Sequence, residues 1–436
     1  MKEIINKYIE DHKEEFYQLG QELFENPELG FKEFKTKEII IRFLQTKGLS
    51  IDKEFAQTGF TVKIGQGKPN IGLICELDGI PTINHPYASK VDNAAHSCGH
   101  SSQVTIMLAA ICALKEVINK YQGTVTLFFT PAEEFTDIAY RKQLIQQGKI
   151  KYLSGKENMI EQHLIDDIDL FIHLHGSGQY CGHHFSIGSK LAGFTYKKIT
   201  FKGKSAHAAV NPSEGVNAAN MCVLFLNAVN MLRETFKEED LVRFHGMISK
   251  GGTTVNSIPE EVEYECYCRS INPQYLLYLS NQVDKIARCC AEAFNGSVEI
   301  EQQPGYLPLI PDEKLSKVVY NNMLNFFDDS QILHDEKSCA AGDVGDISIF
   351  KPIIQYGYTG FSGNMHGNNL LISDPYEVYV KWIDNTDEHP AYLGISKECV
   401  FKIHFYKDTY NNIYDKFAAR CLHEINHQNN EFLENK

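Results

Sequence analysis

Three short apolar runs, separated by helix-like stretches, constrain the fold more than any other feature of this chain. They are "PNIGLICELDG" (69–79), "GTVTLFFTPAEE" (123–134) and "DIDLFIHLHGSG" (167–178). Each stops at a turn former or a Pro, which marks a short buried strand. Between the first two lies "HSCGHSSQVTIMLAAICALKEV" (96–117), whose apolar part reads as a helix with Ser101 or Ser102 as its N-cap. Strands alternating with helices predict an α/β fold with a mostly parallel sheet covered on both faces. In such sheets, sites gather at the carboxyl ends of the strands.

The pattern changes near residue 194. "FTYKKITFKGKSAHAA" alternates as a strand, "GVNAANMCVLFLNAVNMLRE" reads as a helix, and "LVRFHGMISKGGTTVNSIPEEVEYECYCRS" as two strands. "QYLLYLSNQVDKIARCCAEAF" is a second helix and "GSVEIEQQPG" a last strand. The order β-α-β-β-α-β is ferredoxin-like. The expected organisation is a first domain segment over 1–192, an inserted α+β domain over 193–303, and a return to the first domain over 304–436. A final helix is expected at "DTYNNIYDKFAARCLHEINHQ" (408–428).

A chain of 436 residues suits two or three domains. Its net charge is -14 and it has no Lys/Arg-rich block, so nucleic acid is not an expected partner. The charged N-terminus lacks the apolar core of a signal peptide. No window approaches 18 apolar residues, so no membrane span is expected. The 12 cysteines are scattered, and Cys75, Cys112 and Cys222 lie in apolar runs. Buried free thiols of a reducing cytoplasm fit that pattern better than a disulfide framework.

Four places carry chemistry: Cys98 with His100, Glu133 with Glu134, His173 with His175, and His366. Thiolate, imidazole and carboxylate form a ligand set for zinc or a similar divalent ion. The set lacks the paired CxxC form of an enclosed structural zinc site. Ligands from distant segments suggest a site with open positions for water. Adjacent residues in extended backbone point to opposite sides, so one carboxylate of the Glu133–Glu134 pair is expected on metal and the other toward substrate. Water activated by metal beside a carboxylate base is a hydrolytic arrangement. His173 and His175 alternate along their strand, so one is expected to face away, with His173 as a core imidazole. Singly, each residue also has a plain structural explanation: a small core thiol, a solvated glutamate pair, a loop histidine. Their joint placement at strand ends favours the metal.

With these residues in view, the chain resembles the metal-dependent aminoacylase and carboxypeptidase family. Its nearest branch is that of hippurate hydrolase, the auxin-conjugate amidohydrolases and aminobenzoyl-glutamate hydrolase. "ELDGIP" is similar to the family's D-x-D-A-L-P, "HSCGH" to H-A-C-G-H-D, and "GTVTLFFTPAEE" to G-T-V-x-L-x-F-Q-P-A-E-E. "GKSAHAAVNPSEGVNA", "GGTTVNSIPEEVEYECYCRS", "AAGDVGDIS" and "MHGNNL" resemble later motifs, in order. The resemblance implies a metallo-hydrolase catalytic domain with an inserted ferredoxin-like lid and dimerisation domain. It implies two divalent ions, Zn or Mn, bridged by Cys98 and completed by His100, Glu134, His175 and His366. Glu133 would be the general base. His207 would reach across a homodimer interface to polarise the scissile carbonyl. Asn256 and Arg269 would hold a carboxylate-bearing amide: an N-acyl amino acid, a conjugate or a dipeptide. The chain departs from the family at Ser101, where Asp or Asn is usual, at Glu76, the first position of D-x-D, and after His366. The stretch "AYRKQLIQQGKIKYLSGKENMIEQ" (139–162) looks like the aminobenzoyl-glutamate side of the branch.

Two other readings stand beside the metallohydrolase. One makes Cys98 a covalent nucleophile with His100 as its base, although two positions on one tight loop give that pair poor geometry. The other makes the chain a non-catalytic partner subunit of a related enzyme.

Overall fold

The computed structural model describes residues 2–178, 183–325 and 327–373, together with 375, 378 and 379. The helix expected at 408–428 lies outside the described residues. The chain divides into two compact units. The first holds Met1–Ser189, Ile310–Glu336 and the described residues from Asp346 onward; the second holds Lys190–Leu309 and Lys337–Gly345. Residues 337–345, expected with the third segment, pack instead with the second unit: Lys337 and Ser338 pair in parallel with Lys190 and Leu191.

The strands of the two main sheets, in chain order, are β1 (Ile51–Phe55), β2 (Gly59–Gln66), β3 (Asn70–Glu76), β4 (Gly123–Thr130), β5 (Leu170–Gly176) and β6 (Phe185–Ile187). There follow β7 (Gly193–Lys202), β8 (Arg243–Lys250), β9 (Glu261–Ser270), β10 (Ser297–Pro304), β11 (Ile332–His334) and β12 (Ile353–Tyr358). The helices used below are α1 (Lys2–Phe24), α2 (His100–Ile118), α3 (Ile138–Gln146), α4 (Gly155–Glu161), α5 (Ala218–Leu232) and α6 (Pro273–Glu292).

The first unit is built on an eight-stranded sheet in the order β1-β2-β4-β3-β5-β12-β6-β11. Its centre is parallel: β3 pairs in parallel with β4 and β5, and β5 with β12. β3 and β4 are buried along their whole length, as parallel strands covered on both faces must be. Glu76 pairs with Thr130, so β3 and β4 end level. The loops that carry the chemistry leave the sheet at that level.

α2 packs on this sheet and on α1 within one core. It begins at His100, not at a serine: Gly99 is its N-cap, with φ 84°. A side chain at Gly99 would meet the Phe361 ring at 2.9 Å, so both conformation and space demand glycine there. Ser102 Oγ instead donates to Gly99 O at 2.7 Å. α2 is apolar enough to test the expectation that no segment spans a membrane. Its 19 residues, with a mean hydropathy of 1.5, are long and apolar enough to cross a bilayer, but 78% of that window is buried inside the first unit. It is a core helix whose small residues (Ala109, Ala110, Ala113) let it sit close to the sheet.

The second unit is a four-stranded antiparallel sheet, β8-β9-β7-β10, with α5 and α6 packed in its core. Strict alternation of buried residues along β9 leaves one face under the helices and one face open. The order and connections are ferredoxin-like, as the sequence pattern predicts.

Candidate metal centre

Five segments of the first unit converge at the carboxyl ends of β3, β4 and β5. The loop before α2 supplies Cys98, and the first residue of the helix is His100. The turn after β4 supplies Glu133 and Glu134, β5 supplies His175, and the loop after β12 supplies His366. His366 has φ 61°, and its N–H bonds Ser97 O at 2.8 Å, which ties its loop to the one bearing Cys98.

Among the described residues the candidate ligand atoms fall into three groups, of which two share one thiol and the third is Glu76, His100 and Glu133. Cys98, His100 and His175 form one trio; Cys98, Glu134 and His366 form the other, with atoms in each mutually within 4.8 Å. Cys98 Sγ lies 3.6 Å from His175 Nε2 and 3.3 Å from His366 Nε2. Glu134 Oε1 is 3.3 Å from His366 Nε2. Glu133 Oε2 is 3.8 Å from His100 Nε2, and Glu133 is only 6% exposed.

Hydrogen bonds set the direction of each ring. His100 Nδ1 donates to Asp78 O at 2.8 Å and His175 Nδ1 to Gly176 O at 2.6 Å. In the neutral rings, both Nε2 lone pairs therefore face the cluster. His100 Nε2 is buried with no hydrogen-bond partner, and Glu134 Oε1 receives no well-aligned hydrogen bond. Lone pairs of nitrogen, oxygen and sulfur thus point at one another with little to separate their charge. That arrangement, and the mixture of donor types, fits divalent cations.

The electrostatics agree. Burial, and then Glu134, push the Cys98 thiol well above its ordinary range when no cation is present. Burial opposes ionisation of Glu134 but is outweighed by the His366 ring 3.3 Å away, with His100 adding to it, so its pKa falls to about 2. Burial, with help from the neighbouring histidines, brings His175 down to about 4 despite the pull of Glu76. The cluster therefore offers a carboxylate at Glu134 and a neutral imidazole at His175 at neutral pH. Burial lowers His100, but Cys98 and Glu76 outweigh it and raise its pKa, and Glu134 raises that of His366. A cation thus displaces protons from these rings as well as from the thiol.

Two expectations are corrected. His173 and His175 do not face apart, because a spacing of two in a strand puts both on one side. Their ring centroids are 6.2 Å apart and both approach Glu76, His173 Nε2 at 3.1 Å and His175 Nε2 at 3.9 Å. The Glu133–Glu134 pair does not continue the extended strand, since β4 stops at Thr130 and Ala132 has φ 54°. The turn brings both carboxylates to the cluster, each beside a different histidine.

A second set of residues lies behind the ligands, and most of it escapes a sequence reading. Glu76 sits at its centre. Its Oε2 is 3.2 Å from His100 Nε2, and its Oε1 is 2.6 Å from Lys156 Nζ. Gln103 on α2 accepts from Glu76 N and donates to Glu76 Oε2. Lys156 lies in the first turn of α4, fully buried at the positive end of a helix. Both conditions disfavour a cation, and the buried carboxylate offsets them. Burial would raise Glu76; Lys156, His173 and His100 together hold it well below the usual carboxylate range. The glutamate turn is held by Arg141 on α3, which donates to Leu153 O at 2.7 Å, to Ala132 O and to Glu134 O. Asp78 Oδ2 accepts from Glu134 N at 2.9 Å, and Glu33 Oε1 from Ala132 N at 2.9 Å. The only sequence signals for this set were the Glu at the first D-x-D position and the unusual 139–162 stretch.

The remaining expected residues lie in the second unit. His207 is exposed and bridges to Ser257. Its Nδ1 accepts from Ala209 N and Val210 N at 3.2 Å each, so the neutral ring carries its proton on Nε2. Asn256 O accepts from Ala208 N at 2.9 Å, which holds the two loops together. Arg269, in β9, is half-buried against the Phe194 and Tyr267 rings, and its Nη1 donates to Cys339 O at 3.0 Å.

A mostly parallel sheet with an inserted ferredoxin-like unit, and a mixed thiol, imidazole and carboxylate cluster at its strand ends, defines a metal-dependent amidohydrolase. The chain belongs to peptidase family M20/M25/M40, whose pattern it matches over residues 72–381. It is 24% identical to the IAA-amino acid hydrolase ILR1-like 4 of Arabidopsis thaliana over 383 residues, 83% of this chain and 80% of that protein. It is 24% identical to one subunit of the p-aminobenzoyl-glutamate hydrolase of Escherichia coli over 332 residues, 74% of this chain and 64% of that protein. Among solved structures it resembles the Bacillus subtilis YXEP protein, a dinuclear metal-binding peptidase of the M20 family. The TM-score is 0.65 at 18% identity, over 86% of this chain and 96% of that one.

Proposed function

We propose that the chain hydrolyses an amide bond next to a free carboxylate, in an N-acyl amino acid, an amino-acid conjugate or a dipeptide. The observation that supports it most is the sharing of Cys98 between two ligand trios, with the Glu133 carboxylate beside His100. Cys98, His100 and His175 are assigned to one divalent ion, and Cys98, Glu134 and His366 to a second, zinc or manganese. When bound, the ions supply Lewis acidity and make water a nucleophile at neutral pH.

The chain's own residues do the rest. Glu133 takes the proton from the attacking water and returns it to the leaving nitrogen. His207, with its proton on Nε2, is assigned to donate to the scissile carbonyl oxygen as charge builds there. Asn256 and Arg269 are assigned to the substrate, Arg269 as a fork for its carboxylate. A homodimer through the second unit is part of the proposal. Edge strand β8 carries exposed Met247 and Ile248, and α5 carries exposed Val223 and Met231. A buried thiol held in its neutral form is a poor nucleophile, which disfavours covalent catalysis by Cys98.

The test is a panel of acyl amino acids and dipeptides assayed with the purified chain before chelation, after it, and after return of zinc or manganese. Activity that is lost and then restored supports the proposal. Full turnover by chelated enzyme, or loss to a thiol alkylator alone, refutes it. Inactivity on the whole panel with ions bound favours the partner-subunit alternative.

A further inference from the structure

The turn that carries Glu133 and Glu134 is gripped from two sides, and one of the gripping groups has no charge partner. Ala132 has φ 54°, a left-handed conformation that is costly for a residue with a side chain. Two carboxylates accept from the turn's N–H groups, Glu33 at Ala132 and Asp78 at Glu134. Its carbonyls face Arg141 on α3, whose side chain is fully buried. Arg141 Nη1 donates to Leu153 O at 2.7 Å and to Ala132 O at 3.3 Å, and Nη2 donates to Glu134 O. The fork therefore reaches the carbonyls on both sides of Glu133. The surrounding chain leaves room for it: a side chain at Gly30 would meet Arg141 Nη2 at 2.5 Å.

Among the described residues, no carboxylate lies in ion-pair contact with Arg141. Its Nε is buried with no hydrogen-bond partner, and its guanidinium carbon lies 5.5 Å from the centre of the Phe31 ring. A guanidinium buried against neutral carbonyls is costly, and an apolar side chain of similar volume would fill the space at less cost. What an apolar group cannot supply is a rigid planar fork of donors. The feature that calls for such a fork is the strained turn itself.

We propose that Arg141 is a positioning residue for the metal centre, whose fork holds the turn so that Glu133 and Glu134 keep their aim at the cluster. The proposal rests on the reading of Glu134 as a ligand of the second ion and of Glu133 as the base. Cys98, His100 and His175 leave the fold from other segments, and Arg141 touches none of them. The effect of Arg141 is therefore selective. Its loss weakens the ion held by Cys98, Glu134 and His366, and it spares the ion held by Cys98, His100 and His175.

The test is calorimetric titration of the chelated protein with zinc, for the parent chain, for Arg141→Lys, and for Arg141→Gly with and without guanidinium ion below denaturing concentration. Arg141→Lys keeps a buried cation but not the fork. It is expected to weaken the second ion by about 10- to 100-fold, the usual scale for a residue that orients a ligand, and to leave the first unchanged. Its kcat should fall by a similar factor with KM little changed, because Glu133 acts in the chemical step. Guanidinium should restore the second ion to the Arg141→Gly chain by refilling the vacated space. A role in the fold alone gives another pattern: a lower thermal midpoint, with both ions weakened equally or neither. That pattern overturns the proposal, as does a folded Arg141→Gly chain that guanidinium leaves unchanged. Where circular dichroism shows Arg141→Gly unfolded, the Arg141→Lys titration decides alone. Failure of the hydrolytic proposal has a separate signature: no turnover by the unsubstituted chain, while Arg141→Lys still loses one ion selectively.

Discussion

His366 Nε2 lies 3.3 Å from the Cys98 thiol across 268 residues of sequence, and the His366 N–H bonds the carbonyl of Ser97. A loop from the late part of the chain is thus fastened to the loop that carries the shared thiol. The contact makes the two ligand trios one assembly: disturbing His366 disturbs one trio, and disturbing Cys98 disturbs both.

Metal stoichiometry should follow that geometry. His366→Ala is expected to retain about one ion per chain, because Cys98, His100 and His175 remain together. Cys98→Ala should bind neither ion tightly. Elemental analysis of protein purified without chelator checks both, and two tightly bound ions in the Cys98→Ala chain would overturn the shared-thiol assignment.

Metal affinity should rise with pH. The free protein holds the Cys98 thiol protonated, since burial and Glu134 raise its pKa, and a cation must displace that proton. His100 and His366, whose pKa values are raised, add protons to be displaced, whereas His175, lowered to about 4, and Glu134, lowered to about 2, contribute little to the dependence near neutrality. Calorimetric titration with zinc in buffers of different ionisation enthalpy should show proton release on binding. An affinity that is flat between pH 6 and pH 8 (roughly the range over which a buried thiol's proton competes with metal) contradicts this.

Removing one partner of the Lys156–Glu76 pair should be costly. Lys156→Met leaves a buried carboxylate beside His173 and His100 without its 2.6 Å cation, and a loss of about 3–5 kcal/mol is expected. The double variant Glu76→Gln, Lys156→Met should recover a large part of it, as coupled neighbours do. Chemical unfolding of the four proteins measures the coupling. Additive losses would show that the pair does not act as a unit.

Glu33 gives stability an unusual slope with pH. Burial, and then Asp78, raise its folded pKa to about 8, so the native chain keeps it protonated where the unfolded chain ionises it. The sign follows: this group favours folding at pH below the unfolded value of 4.5, and opposes it progressively as pH rises to about 8. Glu33→Gln keeps an acceptor for Ala132 N and removes the titration. Its thermal midpoint should exceed that of the parent by a few degrees at pH 8 and converge with it near pH 5 (about 1 kcal/mol is worth several degrees in a small domain and fewer in a larger one). A gap between the two proteins that does not change with pH would contradict the account.

Much of the architecture was legible before any coordinates. Apolar runs of strand length alternating with helices dictate a covered parallel sheet, since no other arrangement buries strands like β3 and β4 on both faces. The inserted unit announces itself by a switch to strict alternation, as along β9. The residues that come together were legible too: thiol, imidazole and carboxylate at strand ends are the side chains the fold gathers within reach of one another. Where the local reading failed, local rules had been pressed too far. Adjacent glutamates were expected to diverge as they do in a strand, but the left-handed Ala132 turns both toward the cluster. Ser101 and Ser102 are good caps, yet the Phe361 ring against Gly99 decides where α2 begins.

The sequence by itself determined which segments become strands and helices, and which side chains are able to bind a cation, because propensity, periodicity and ligand chemistry are properties of short stretches. Only the tertiary structure decided that Cys98 serves two trios, that Glu76 and Lys156 meet in the interior, and that Arg141 grips the turn bearing Glu133. Those relationships depend on sheet register and on loops meeting across hundreds of residues, and packing and the cost of leaving buried charge unpaired select them over the whole molecule at once.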